Sequence, residues 1–196
     1  MANLNEFIGA LREGGTRGNQ FQVTITGAPG DVQSVLGQDF VFLCKATTVP
    51  ALNIGEVMIP YRGRQIFVAG DRTYDPWTVT IWSDRDQRMK AGFEIWQNHL
   101  GDIGVVTDRS AVGQVPSMYY AQASIQQMDR NDNVLRSYYL YDVWPQNVAG
   151  TDMAYDANDI LLEFAVTLRF NYMTIGGKGS GRASGRTVAG PPQGPH

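Results

Sequence analysis

The residue types that do chemistry are few in this chain and poorly grouped. Four carboxylates, Asp71, Asp75, Asp84 and Asp86, fall close together. An acid pair for glycoside hydrolysis or a magnesium site needs such oxygens brought to one point. Their settings argue for structure instead. Asp71 and Asp75 lie in Gly70–Pro76, a turn-like stretch where Asp is favoured by hydrogen bonds to nearby backbone, and Asp84, with Gln87 three residues on, has the form of an acidic helix cap with its capping-box partner. Of the two histidines, His196 ends the chain, so a Ser/His/Asp site would have to be built on His99. His99 stands three residues after Trp96 in a helical pattern, where an ordinary packed or exposed imidazole is the simpler reading. No Gly-x-Ser-x-Gly, Cys-x-x-Cys or His-Glu-x-x-His motif occurs, which leaves hydrolase and zinc chemistry without support. Gly177-Lys178-Gly179-Ser180-Gly181 has the glycine content of a phosphate cradle but lacks the Walker spacing and the following helix, and reads as linker. The single Cys44 sits in an apolar stretch beside Phe42 and reads as a buried thiol. No catalytic, cofactor-binding or metal-ligating residue is assigned, and neither an enzyme nor a cofactor is expected.

The elements around these residues are those of a β-rich domain. With 196 residues, 43% apolar and 18% charged, the chain has the composition of a soluble globular protein with one core. Phe21, Val23 and Ile25 alternate with Gln22, Thr24 and Thr26, the period-two signature of a half-buried strand. Gly27 to Gly37 reads as a turn-rich loop, and Phe40, Phe42 and Cys44 repeat the alternation. Arg64–Ala69 and Trp77–Trp82 read as strands joined by a hairpin connection at Gly70–Pro76. Tyr119–Met128 and Val134–Trp144 read as a second hairpin around Asp129–Asn133. The longest alternation runs from Ile160 through Leu162, Phe164, Val166, Leu168 and Phe170 to Tyr172. Helical spacing is clearest in Asp86–Leu100, with Met89, Phe93, Trp96 and Leu100 on one face. A shorter pattern, Leu4, Phe7, Ile8 and Leu11, predicts an opening helix that ends near Gly14 and Gly15. The four tryptophans suggest base or sugar stacking less than core packing, although Trp82, which ends a strand just before the helix cap, is a candidate interface anchor.

The domain is expected to span residues 1–174 and to be followed by a disordered Gly/Ser/Pro/Arg-rich tail at 175–196, whose lack of apolar side chains cannot offset ordering entropy. Of the 16 basic residues, Lys178, Arg182 and Arg186 belong to that tail, leaving 13 bases against 19 acids and a net charge of −6 on the rest. An acidic body is poorly suited to gripping nucleic acid, because affinity for phosphates comes mostly from clustered Lys and Arg. No stretch reaches the ~18 apolar residues of a membrane span, and Glu6 interrupts the opening segment where a signal peptide is continuously apolar. Synthesis in a cytoplasm is expected.

Three blocks carry a family resemblance. They are Phe42-Leu43-Cys44-Lys45-Ala46-Thr47, the run from Val68 through Gly70, Asp71, Arg72, Thr73, Tyr74, Asp75 and Pro76 to Thr80, and Trp144-Pro145 with Asn147-Val148. With Phe93, Trp96 and Glu163–Leu168 they closely resemble the tail tube proteins of contractile-tailed, myovirus-type bacteriophages, over roughly residues 19 to 173. The resemblance implies a mainly β fold, a small barrel or sandwich flanked by one α-helix, with inner strands joining across six subunits into a ring, and rings stacking into a tube. It implies residence in the virion and a lumen that conducts genomic DNA and the tape measure protein without sequence-specific binding. The sheath protein would lie outside, with baseplate and tail terminator proteins at the ends and no membrane binding by the chain itself. The alternatives are the tube protein of a related contractile injection machine, such as a secretion system or tailocin, and, from another class, a carbohydrate-binding or cell-wall-degrading tail component.

One segment fits no ordinary connection. Thr47 to Gly63 holds two prolines and two glycines yet carries Val49, Leu52, Ile54, Val57, Met58, Ile59 and Tyr61. Long apolar loops are uncommon and tend to be functional. Either part of the segment is a strand on the subunit's own core, or, as the resemblance suggests, these side chains reach the adjacent ring and supply the stacking contact.

Overall fold

Alternating side chains with one apolar face fold into strands that must bury that face together. In the computed structural model, which describes residues 16–37, 39–100, 116–155 and 160–176 together with 3, 4, 6 and 9, they do so in one seven-stranded antiparallel sheet. The strands are β1 (Phe21–Thr26), β2 (Cys44–Thr47), β5 (Trp77–Trp82), β6 (Ala121–Met128), β7 (Val134–Val148), β8 (Glu163–Arg169) and β9 (Tyr172–Gly176). Their order is β1-β6-β7-β8-β5-β2, with β9 also on β7.

The 15-residue β7 organises the sheet. Its first part pairs with β6 on one edge and β9 on the other, and its last part with β8. The change falls at Asp142, which holds φ 58° where the β6 register slips by one residue, a bulge that bends the strand. Asn171 sits opposite, its Nδ2 donating to Asp142 Oδ2 at 3.0 Å. The sequence pattern runs unbroken from Ile160 to Tyr172, but the structure divides it. Regular pairing starts at Glu163, stops at Arg169 and resumes at Tyr172, while one register is kept across the gap, Trp144 facing Arg169 and Tyr141 facing Tyr172. The interruption is forced by the bend in β7, which an alternation of side chains does not reveal. The last strand ends at Gly176, two residues past the expected boundary at Thr174, and 177–196 lie outside the described residues.

Three helices pack over the sheet's apolar face: α1 (Gly30–Leu36), α2 (Asp39–Leu43) and α3 (Arg88–Leu100). Two of them correct the sequence reading. Gly27–Gly37 is not all loop, since α1 lies within it and buries Val32 and Leu36. Phe40, Phe42 and Cys44 do not form one strand. Phe40 is buried on α2, Phe42 is 77% exposed, and β2 begins only at Cys44. A third correction concerns the capping box, for α3 starts at Arg88, two residues late. Asp84 still serves its first turn, accepting from Met89 N–H at 3.4 Å and from Arg88 Nε at 3.0 Å, while Gln87 takes a left-handed φ of 52° and is no capping partner. Arg88's guanidinium is held further toward its charged form by that hydrogen bond. Of the expected opening helix, residues 4, 6 and 9 are helical and Phe7, Ile8 and Leu11 lie outside the described residues, as does most of the expected Gly101–Pro116 loop.

One core joins the two halves of the sheet. Val23, Ile25, Ile125 and Leu140 come from one half, Trp77, Val79, Ile81, Phe164, Val166 and Leu168 from the other, and Met89, Phe93 and Trp96 of α3 cover both. Phe93 meets Phe40 edge-on at 6.0 Å and Phe164 at 6.5 Å. Buried indoles need a partner for N–H. Trp77 donates to Thr47 Oγ1 at 2.8 Å and Trp96 to the Tyr119 carbonyl at 2.9 Å.

Candidate assembly surfaces

The Thr47–Gly63 segment is largely a strand, but one that stands apart from the main sheet. β3 (Leu52–Tyr61) pairs only with β4 (Arg64–Tyr74), from Leu52↔Tyr74 to Tyr61↔Arg64. This overturns the expected hairpin between Arg64–Ala69 and Trp77–Trp82, because β5 pairs with β2 and β8 instead. The turn explains the choice. Arg62 and Gly63 both take positive φ, 46° and 79°, the two-residue geometry whose twist matches antiparallel strands. Asp71, expected in a turn, is an exposed residue of β4.

Glycines make room where the two backbones close in. At Gly55 the register shifts, with Gly70 and Asp71 opposite it, and a Cβ on Gly70 would meet Gly55 O and Val57 Cγ2 at 3.2 Å each. At the foot of the hairpin Asn53 Nδ2 donates to Asp75 Oδ1 at 2.9 Å and the Tyr74 ring packs 5.3 Å from Phe170. These contacts fix the hairpin to the body at its base.

Beyond the base the apolar side chains have little to cover them. Cross-strand partners share a face, so Val57/Val68 and Ile59/Ile66 lie on one side and Met58/Phe67 on the other. All are exposed, from 46% at Ile59 to 58% at Phe67. Leu52, Ile54 and Tyr61 are exposed on the same ribbon, while Val49 lies before β3 in the connection and is exposed there. The sequence reading missed Ile66, Phe67 and Val68 as members of this surface. The available signal was Arg62-Gly63 between two apolar runs.

A second surface is a shallow concavity on the outer side of β5 and β8. Lys45, Trp82, Met153, Ile160, Leu161 and Glu163 are among its lining residues. Lys45 and Glu163 form an ion pair across it, and Trp82 is half-buried at its wall. The third consists of sheet edges: among the described residues β1 and β2 end the strand order and β9 pairs only with β7.

The reactive residue types are engaged elsewhere. Cys44 is buried, which pushes its thiol up to about 12. His99 Nε2 lies 2.7 Å from Asp31 Oδ2, linking α3 to α1, and this hydrogen bond holds the Asp31 carboxyl below its usual range. Among the described residues no three His, Cys, Asp or Glu side chains converge as metal ligands. The geometry offers contact surfaces.

A family model described as phage tail tube protein matches residues 16–175. The tail tube protein gp19 of Enterobacteria phage T4 is 34% identical over 157 residues, 80% of this chain and 89% of that protein. The tail tube protein of Serratia phage KSP90 is 28% identical over 172 residues, 87% of this chain and 95% of that protein. Among solved structures, a chain of an extracellular contractile injection system sheath-tube complex in the extended state superposes with a TM-score of 0.55 at 12% identity, covering 91% of this chain and 100% of that one. A chain of the anti-feeding prophage baseplate gives 0.56 at 11% identity, over 81% and 93%. At such identities the likeness concerns the fold.

Proposed function

The chain belongs to the phage tail tube protein family, structural components of the virion, and on that premise we propose that it assembles into hexameric rings stacked as a tube around a lumen for genomic DNA and the tape measure protein. The observation that carries this reading is the β3–β4 hairpin, an apolar ribbon exposed on both faces. A two-stranded hairpin is marginal by itself in water, and a large exposed apolar patch marks an interface. The stacking contact is made by Val49, Leu52, Ile54, Val57, Met58, Ile59 and Tyr61, joined by Ile66, Phe67 and Val68, against the next ring. Ring closure uses sheet edges, the outer edge of β9 in one copy pairing with that of β1 in the next, since unpaired N–H and C=O groups invite a strand. Two unlike contacts, one that closes and one that translates, are sufficient for a tube. Sheath would cover the outside, with baseplate and terminator proteins at the ends, and residues 177–196, beyond the end of β9, are dispensable for folding.

A tube of a related injection machine rests on fold likeness alone, whereas the 34% identical relative is a phage protein. Replacing Leu52–Ile59 by a Gly/Ser linker tests the reading. A soluble subunit that melts cooperatively and forms no long tubes by electron microscopy is expected. Long tubes from this variant would show that stacking lies elsewhere, and loss of cooperative melting would place the hairpin in the subunit's own core.

A further inference from the structure

The hairpin stands at one end of β5 and the concavity at the other. β4 ends at Tyr74 and β5 begins at Trp77, opposite Leu168, so the foot of the hairpin lies at the Trp77 end. The concavity gathers at the Trp82 end. There Trp82 faces Glu163 and Thr80 faces Ala165, on the side of the two strands that the core does not use. Lys45 joins them from the start of β2, and Asp152 from the chain beyond β7. Five steps along β5, at about 3.3 Å each, set the two places roughly 17 Å apart. β3 and β4 make their broad contact with each other alone, and none of the residues lining the concavity belongs to them. The hairpin of a subunit therefore leaves that subunit's concavity open.

The two surfaces are opposite in charge and alike in apolar character. At the tip, Arg62 and Arg64 flank Gly63, and the Arg62 guanidinium lies 5.4 Å from the centre of the Tyr61 ring. Among the described residues neither arginine has an ion pair. The concavity holds Asp152, which also lacks an ion pair among the described residues, and Glu163, paired with Lys45. Its apolar wall is Met153, Ile160 and Leu161, each more exposed than any large apolar side chain of the hairpin. Trp82, which the sequence marks as a candidate interface anchor, belongs to the same wall. A volume of about 1040 Å3 is at the upper end of the roughly 300–1,000 Å3 of small-molecule pockets, and in so shallow a site it is room for a chain segment.

We propose that the concavity is the socket for the β3–β4 hairpin of a second copy of this chain, entered tip first. The inference rests on the stacking reading above and names the surface that receives the hairpin. Arg62 and Arg64 reach Asp152 and Glu163, the second of which gives up part of its hold on Lys45, while Tyr61 and Ile59 cover Met153, Ile160 and Leu161. Solvent-screened ion pairs add little affinity but fix register and reject wrong partners, and the apolar contact supplies the binding. A plug and a socket at opposite ends of one strand make a heterologous contact. Each addition leaves one unused plug and one unused socket, so the contact propagates instead of stopping at a pair. Two hairpins packed on each other would satisfy both at once and end at a dimer, and their like-charged arginines oppose it.

Disulfide trapping in the full chain reads the contact directly. Cys44 is buried, so Arg62→Cys and Asp152→Cys supply the accessible thiols. Oxidised as tubes with copper phenanthroline, the double variant should give a ladder of linked chains on a non-reducing gel, and each single variant should stay unlinked. Ready self-linking of Arg62→Cys alone would mean that hairpin meets hairpin, and no ladder from tubes seen by electron microscopy would place the tip elsewhere; either result overturns the socket. Charge reversal is the second arm. Asp152→Arg should raise the concentration needed for tubes by about tenfold or more, and adding Arg62→Asp and Arg64→Asp to the same chain should restore it. Restoration separates a lost contact from a folding defect, and its absence would also overturn the socket. No tubes from the unsubstituted chain would instead sink the tube reading, and long tubes from the Gly/Ser linker variant would sink the hairpin's part in it. Tubes that need the hairpin but assemble unchanged with Asp152→Arg would sink the socket alone.

Discussion

The body of the sheet and the β3–β4 hairpin are built from the same kinds of residue and end in opposite conditions. In β5, Trp77, Val79 and Ile81 are fully buried in the core, whereas every position of β3 is exposed, although Ile54, Val57 and Ile59 are as apolar and as prone to β structure. The strand type is set locally. Burial is set by whether the chain supplies a second layer, and for the hairpin it supplies none among the described residues. On the proposed stacking, the second layer that the body finds within its own chain comes to the hairpin from another molecule.

One substitution made twice breaks or sharpens that contrast. Phe93, fully buried against Phe40, Trp96 and Phe164, should cost about 3–5 kcal/mol on truncation to Ala, enough to unfold much of the subunit. Phe67, 58% exposed, should lose under about 0.5 kcal/mol from the subunit on the same change. Chemical denaturation of the two variants under dissociating conditions reads both. A large loss at Phe67 would mean that the hairpin is covered within its own subunit and would remove the main support for stacking.

The same contrast explains what was legible in the sequence. Strands with one wet face announced themselves: β1, β5 and β6 stand where alternation placed them, β7 starts there and runs on past Trp144 to Val148, and β8 is the middle of the run expected from Ile160 to Tyr172; the polar turn at Asp129–Asn133 also stands, with Asp129 N–H donating to the Asn133 carbonyl at 2.9 Å. The hairpin, wet or apolar on both faces together, has consecutive Val57, Met58 and Ile59 and so gives no period of two. Pairing of β4 with β3 rather than β5 turned on the backbone of Arg62-Gly63, a weaker signal than Asn-Gly. α1 was hidden by Pro29 and Gly30 at its start and by burying only two residues, Val32 and Leu36. α2 was mistaken for a strand because Phe40 and Cys44, four apart, satisfy either period, and only the exposure of Phe42 decides between them. The apolar character of Val49–Tyr61 was plain, but its partner β4 was not.

Packing density gives a smaller effect in the body with no counterpart at the hairpin tip. α1 crosses α3 at Gly92, where an added Cβ would lie 3.0 Å from Val35 Cγ1 and 3.3 Å from Leu36 Cδ2. Gly92→Ala should therefore cost about 1–3 kcal/mol through overpacking, although Ala is the better helix former. A stabilised variant in thermal melting would show that α1 yields easily and is only loosely part of the core.

The smallest expected effect is electrostatic and lies on the same pair of helices. Asp31 of α1 and His99 of α3 join at 2.7 Å, but with side chains 52% and 32% exposed, and solvent-screened pairs of this kind contribute about 0.2–1 kcal/mol. The hydrogen bond from His99 lowers the Asp31 carboxyl in the folded state. A depressed folded value means that the unfolded chain takes up the proton first, so the contribution is complete above the ordinary Asp value of about 3.9 and is lost as pH falls through the lower, folded one. Asp31→Asn should accordingly lower the melting temperature slightly at neutral pH, with the difference from the unsubstituted chain shrinking to nothing in strong acid and in concentrated salt. Tube formation should be untouched, since the pair ties one part of the body to another and the hairpin is elsewhere. A difference that persists undiminished in acid would mean that Asp31 acts through the backbone of α1, where its Oδ1 also accepts from the Val32 N–H at 2.9 Å, rather than through its charge on His99.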